Sequence, residues 1–155
     1  MAKVFTAPET TDIYDVRFDT KKLFLGGGIT GCPDWQSEVI KRLDLPYISL
    51  SLYNPRRTDW NREADDSEVI NQIKWEHTYL RKANAIMFWF PEESICPITL
   101  FELGYWLNRD KKLFIGTHPK YPRALDVLTQ VGLADNNIPV RDNLDAMIKD
   151  ILIWS

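Results

Sequence analysis

The sequence predicts an α/β fold, with a parallel sheet of about five strands and helices on both faces. Three observations lead there. Short apolar runs at residues 21–25, 47–52, 85–90 and 112–116 alternate with stretches of helical period. The run at 85–90 is apolar and aromatic throughout, as a strand covered on both faces is. Strands that alternate with helices call for right-handed crossovers and hence parallel pairing.

Each element has its own signal. Residues 3–5 form a short strand candidate, and residues 13–18 alternate as an edge strand or hairpin arm would. The run 21–25 is the first central strand and ends in Gly26-Gly27-Gly28. Asp34 reads as the N-cap of a helix over 35–43 that buries Trp35, Val39, Ile40 and Leu43. Residues 47–52 are the second strand. Asp66 or Ser67 starts a long helix ending near Ala83, with Val69, Ile70, Ile73 and Leu80 as its apolar stripe. Residues 85–90 and 112–116 are the third and fourth strands, with a helix over 98–108 between them. Pro122 opens a helix to about Val131. Residues 138–140 are a short edge strand, and Asn143 caps a last helix to Ile153. Five strands in the flavodoxin-like, Rossmann-type order fit this pattern.

The 155 residues fit one domain, 1–155, with residues 1–20 as an N-terminal edge strand or hairpin. A net charge of −3 argues against broad binding of nucleic-acid polymers but leaves room for a small nucleotide. No apolar run approaches the roughly 20 residues of a membrane span, so no membrane partner is expected. Cys32 and Cys96 form no CxxC pair, and the start is not signal-like. Reduced thiols in a cytoplasm are the expectation. Neither His77 nor His118 has a partner at metal-ligand spacing, and no metal or other cofactor is expected.

The chemistry concentrates between Phe88 and Gly104. A buried strand runs into a proline-bounded loop and then a helix carrying Glu102 among apolar neighbours. A carboxylate near the carboxyl end of a parallel strand sits where open sheets place ligands, which marks Glu102 as the candidate nucleophile. Gly104 beside it permits close packing or close approach of a ligand. Glu76 falls on the inward stripe of the long helix, where a carboxylate is costly unless paired or working. It is either a helix salt bridge or a second catalytic acid. Two carboxylates converging from two helices suit glycosidic chemistry. The Gly26-Gly27-Gly28-Ile29-Thr30-Gly31 turn lacks a P-loop lysine and is either a tight turn or a ligand cradle. Arg56 and Arg57 follow the second strand as a phosphate site or a solvated loop. Cys96 has no nearby histidine and reads as a small buried hydrophobe.

Leu-Gly-Gly-Gly-Ile-Thr-Gly at 25–31 and Cys-Pro-Ile-Thr-Leu-Phe-Glu-Leu-Gly at 96–104 resemble the nucleoside 2-deoxyribosyltransferase family over about residues 22–140. The resemblance implies a flavodoxin-like fold and assembly through homodimers or higher homo-oligomers. It also implies transfer of a 2-deoxyribosyl group between nucleobases through a covalent sugar–enzyme intermediate. Related members hydrolyse deoxynucleoside 5′-monophosphates. The implied partners are therefore a nucleoside or nucleotide and a nucleobase. The family's nucleophile matches Glu102, and its upstream acid falls on Glu76, where this chain has the longer side chain. An Asn supplied by the neighbouring subunit resembles Asn136. Glu92, Glu93 and Ser94 compete for the family's second acidic position, and Phe24 stands where some members have a Tyr. On this reading Gly26, Gly27, Gly28 and Thr30 hold the sugar's 5′ end, and Trp35, Trp60 or Trp89 stacks on the base. The alternatives are a monophosphate hydrolase and a binding module of the same fold that does no chemistry.

Overall fold

The structure is a computed structural model that describes residues 1–10, 20–59 and 65–155. The expected hairpin arm at 13–18 and Trp60 lie outside the described residues. The elements run β1 (Lys3–Thr6), β2 (Lys21–Gly27), α1 (Trp35–Leu43), β3 (Leu50–Asn54), α2 (Asp66–Lys82), β4 (Ala85–Phe90), α3 (Pro97–Trp106), β5 (Lys112–Thr117), α4 (Ala124–Ala134), β6 (Val140–Arg141) and α5 (Leu144–Trp154).

The sheet has six strands in the order β1-β3-β2-β4-β5-β6, and every pairing is parallel. From β2 onward this is the flavodoxin-like order, and β1 adds a sixth strand beside β3. The period of two along each strand divides the core into two layers. On β4, Ile86, Phe88 and Phe90 face the layer of α2, α3 and α4. Ala85, Met87 and Trp89 face α1 and α5. Both sets are buried, which is why the run shows no polar alternation.

Side-chain caps set the expected helix starts. Asp34 accepts from the backbone N–H of Ser37, Asp65 from that of Glu68 and Asn143 from that of Ala146. Several boundaries differ, including the end of α3 at Trp106 instead of 108. The second strand is Leu50–Asn54, not 47–52, because the Ile48 N–H turns back to the Leu45 carbonyl and Tyr47 stands in solvent. Pro122 is not the first residue of α4, since the chain still turns there through Ala124 N–H to Tyr121 O. The short edge strand is Val140–Arg141, beginning two residues later than expected.

The larger correction concerns α2. Val69, Ile70 and Ile73 are not its core face and remain exposed. The buried residues are Trp75, Tyr79 and Leu80. Two large aromatics bury more apolar area than the three aliphatics. They lock into a ladder, with Trp75 and Tyr79 ring centroids 4.4 Å apart and Tyr79 and Tyr53 4.7 Å apart. The Trp75 indole N–H also donates to the Glu9 carbonyl at 2.7 Å. That rotation leaves the 69–73 side of α2 facing the carboxyl ends of β2 and β4. There the sheet order reverses, since β3 lies to one side of β2 and β4 to the other.

Candidate active site

A cavity of about 380 Å³ opens at this reversal point. That volume lies within the range of small-molecule sites. Its floor is Phe24 and the turn Gly26, Gly27, Gly28, Ile29 and Thr30. One wall comes from α2 with Glu76, and the opposite wall from the start of α3 with Glu102. The structure therefore brings together the two predicted carboxylates, the glycine turn and Thr30.

The turn is shaped by what presses on it. Gly27 has a φ of 153°, and a side chain there would meet the Trp89 carbonyl at 2.3 Å. A Cβ on Gly28 would lie within 3 Å of Pro91 and of the sulfurs of both Cys32 and Cys96. Only glycine fits this approach of backbone to backbone. Trp35 lies beneath the turn, buried, and its indole N–H donates to the Gly28 carbonyl at 2.8 Å. It supports the turn and does not line the cavity. Trp89 is likewise buried in the core.

Burial in the cavity wall pushes the Glu102 carboxyl up to about 8, with the charge of Glu76 adding to it. Glu76 is also raised by burial, while a hydrogen bond from Gln72 holds it down. Gln72 Nε2 lies 2.9 Å from Glu76 Oε1. No donor among the described residues bonds to Glu102. The pair can thus keep a proton at neutral pH and present one acid and one carboxylate. The Cys96 thiol is pushed up to about 11 by burial, the opposite of what a thiolate nucleophile needs.

Other predicted site residues lie elsewhere. Arg56 is turned onto the loop before α1. It donates to the Cys32 and Pro33 carbonyls at 2.9 Å and to Gln36 Oε1 at 3.1 Å, and it pairs with Asp34 at 3.6 Å. Arg57 is the arginine that lines the cavity, with its guanidinium in a two-point bond to Asp59 at 2.9 Å. Glu93 is exposed outside the cavity lining, and Glu92 faces His118 at 3.7 Å. Asn136 sits in the exposed loop after α4, away from this chain's cavity. A Cβ at Gly104 would meet nothing within 4 Å among the described residues, so no close packing calls for glycine there. Sequence reasoning missed Gln72, Ile98 and Thr99 as lining residues. Their signal was present for Gln72, which stands four residues before Glu76 on the same helix face.

A family profile described as nucleoside 2-deoxyribosyltransferase like matches residues 20–121, more than half of the chain. The chain belongs to the nucleoside 2-deoxyribosyltransferase-like family. A comparison with curated proteins finds no match. The family segment contains the glycine turn, α2 and Glu102, whereas Asn136 falls beyond it. Phe24, where some members of the deoxyribosyltransferase family carry a Tyr, lines the floor and brings no hydroxyl to Glu102.

Proposed function

We propose that this protein cleaves the N-glycosidic bond of 2′-deoxynucleosides and transfers the sugar to a second nucleobase. The observation that carries the reading is the convergence of Glu76 and Glu102, both raised by burial, on one cavity beside the glycine turn. In the free site burial holds the proton on Glu102; as substrate docks it passes to Glu76, which leaves Glu102 as the carboxylate. Glu102 attacks C1′, the C1′–N bond breaks through an oxocarbenium-like state, and the base nitrogen takes the proton from Glu76. An incoming base then gives its N–H proton to Glu76 and attacks C1′, which frees Glu102. Glu102 attacks opposite the leaving base and the second base opposite Glu102, and two inversions retain the anomeric configuration. The turn from Gly26 to Thr30 holds the sugar's 5′ end.

A homodimer completes the site in this reading. The outer faces of α3 and α4 expose Phe101, Tyr105, Leu125, Leu128 and Leu133, with Phe101 75% exposed. Large apolar patches of this kind mark interaction surfaces. A second copy covering them would supply its Asn136 to the site. A second reading is favoured by Arg57 at the cavity wall: a 5′-monophosphate substrate that exchanges for Asp59 on the guanidinium, with water as the acceptor.

The test is chromatography of deoxyinosine reactions with and without adenine, repeated with deoxynucleoside 5′-monophosphates. Deoxyadenosine formed only with adenine establishes transfer. Base released without an acceptor, mainly from the monophosphates, establishes hydrolysis. No product from any substrate with folded protein rejects both readings in favour of a binding module.

A further inference from the structure

The reaction above uses neither cysteine, yet the fold brings the two together at the seam of the site. Cys32 follows the glycine turn, and Cys96 is the N-cap of α3, the helix that carries Glu102. A Cβ placed on Gly28 would lie 2.9 Å from the Cys32 sulfur and 2.8 Å from that of Cys96. Both sulfurs thus close on one point, and the Cys96 thiol is within hydrogen-bonding reach of Cys32. Both residues are buried, and both thiols are free.

Each thiol is held in place through its own backbone. Arg56 fastens the Cys32 loop by donating to the Cys32 and Pro33 carbonyls, each at 2.9 Å. On the other side, the Cys96 N–H donates to Ser94 Oγ at 3.1 Å, and the Tyr121 hydroxyl donates to the Ile95 carbonyl at 2.8 Å. Cys96 is the one non-glycine residue at positive φ among the described residues, with a φ of 52°. Side chains rarely adopt that conformation, and it persists where the surroundings enforce it. Cys96 also lines the cavity, which gives a small solute its route to the pair.

We infer that Cys32 and Cys96 form a redox couple whose disulfide fastens the glycine turn to the start of α3 and switches the site off. The oxidant is a small disulfide. The Cys96 thiolate attacks it, forms a mixed disulfide and releases one small thiol. The Cys32 thiolate then attacks the Cys96 sulfur and releases the other. The protein loses two hydrogens and two electrons, and the small disulfide is reduced to two thiols. Burial raises both protein thiols, so attack is slow at neutral pH and the reduced form persists between exposures. The seam has no slack, since a Cβ on Gly28 would also lie 2.7 Å from Pro91. A disulfide draws its sulfurs well inside hydrogen-bonding distance, so the turn or the start of α3 must shift. A shift of about 1 Å between the held sugar and Glu102 costs up to about 10²-fold in rate. The effect on rate rests on the enzymatic reading above, whereas the bond itself does not.

The experiment incubates the folded protein with hydroxyethyl disulfide at pH 8, quenches it in acid and reads its intact mass before and after dithiothreitol. The oxidised protein should be lighter by two hydrogens and carry no adduct, and dithiothreitol should restore the original mass. Cys32→Ser should stop at the mixed disulfide on Cys96, and its turnover in reducing buffer should stay within about twofold of wild type. Turnover of the oxidised wild type should fall at least about tenfold and return on reduction. A folded protein that keeps both thiols, or takes up two separate adducts, overturns the couple. An internal disulfide that leaves turnover unchanged overturns the switch. A reduced protein that consumes no nucleoside breaks the enzymatic reading and the switch with it, while the mass still decides the couple.

Discussion

The two helix layers of this sheet differ in how they use apolar residues. On one side, α1 and α5 turn Val39, Leu43, Met147, Ile148 and Ile151 into the sheet, each almost fully buried. On the other, α2, α3 and α4 bury Trp75, Tyr79, Leu103, Trp106, Val127 and Val131 while leaving Ile73, Ile98, Phe101, Leu125 and Leu133 outward. The first layer mainly excludes water, with Ile153 of α5 left outward. The second is divided among three surfaces, a core, a cavity and an uncovered face. Helices serving three surfaces have no clean amphipathic period, and reading them as two-faced puts residues on the wrong side.

The sharpest way to separate the layers is to change one group in each. Glu102→Gln, in the divided layer, should lower turnover by about 10³-fold or more in the chromatographic assay, as loss of a nucleophile does. Leu43→Ala, in the sealed layer, should cost about 2–5 kcal/mol in denaturant unfolding. Activity per folded molecule should stay near wild type. If Leu43→Ala instead abolishes catalysis in folded protein, the layers are not separable.

Stability against pH sharpens the contrast. The folded Glu102 carboxyl titrates at about 8 against 4.5 for the free group. Between those values the folded state binds more protons than the unfolded one, so stability falls as pH rises from about 4.5 to 8. Glu102→Gln removes that loss. Its melting temperature should exceed wild type by about 2–4 °C at pH 8 for each kcal/mol relieved. At pH 5 the gain should nearly vanish. Turnover should fall as pH rises through about 8, where the pair loses its last proton. A rate still climbing there would contradict proton delivery by the pair.

The smallest effect on the monomer belongs to the uncovered face. Phe101→Ser should change unfolding free energy by no more than about 0.5 kcal/mol. In sedimentation it should shift the protein to a single-chain species. An unchanged assembly would place the interface elsewhere.

Much of this was legible in the residues alone. The caps at Asp34 and Asn143, the continuous apolar run of β4 and the parallel α/β class follow from local chemistry and period. So did the pairing of Glu102 with Glu76, because a carboxylate among apolar neighbours is costly wherever it lies. The choice between Arg56 and Arg57 was not legible. Adjacent residues on a loop differ in direction only through the backbone path, and that path turns Arg56 onto the carbonyls of residues 32 and 33. Trp35 had the right composition for a stacking residue, but its indole bond to Gly28 assigns it to the support of the turn.

The sequence by itself determined the parallel α/β class, the capped helix starts at Asp34 and Asn143, the glycine turn and two carboxylates among apolar neighbours. Those depend on neighbours within a few residues. Tertiary structure alone decided which face of α2 meets the sheet. There the aromatic ladder of Trp75, Tyr79 and Tyr53 outweighs a run of aliphatics. Competition between two apolar faces is settled by the shape of the sheet beneath them, which no local pattern contains.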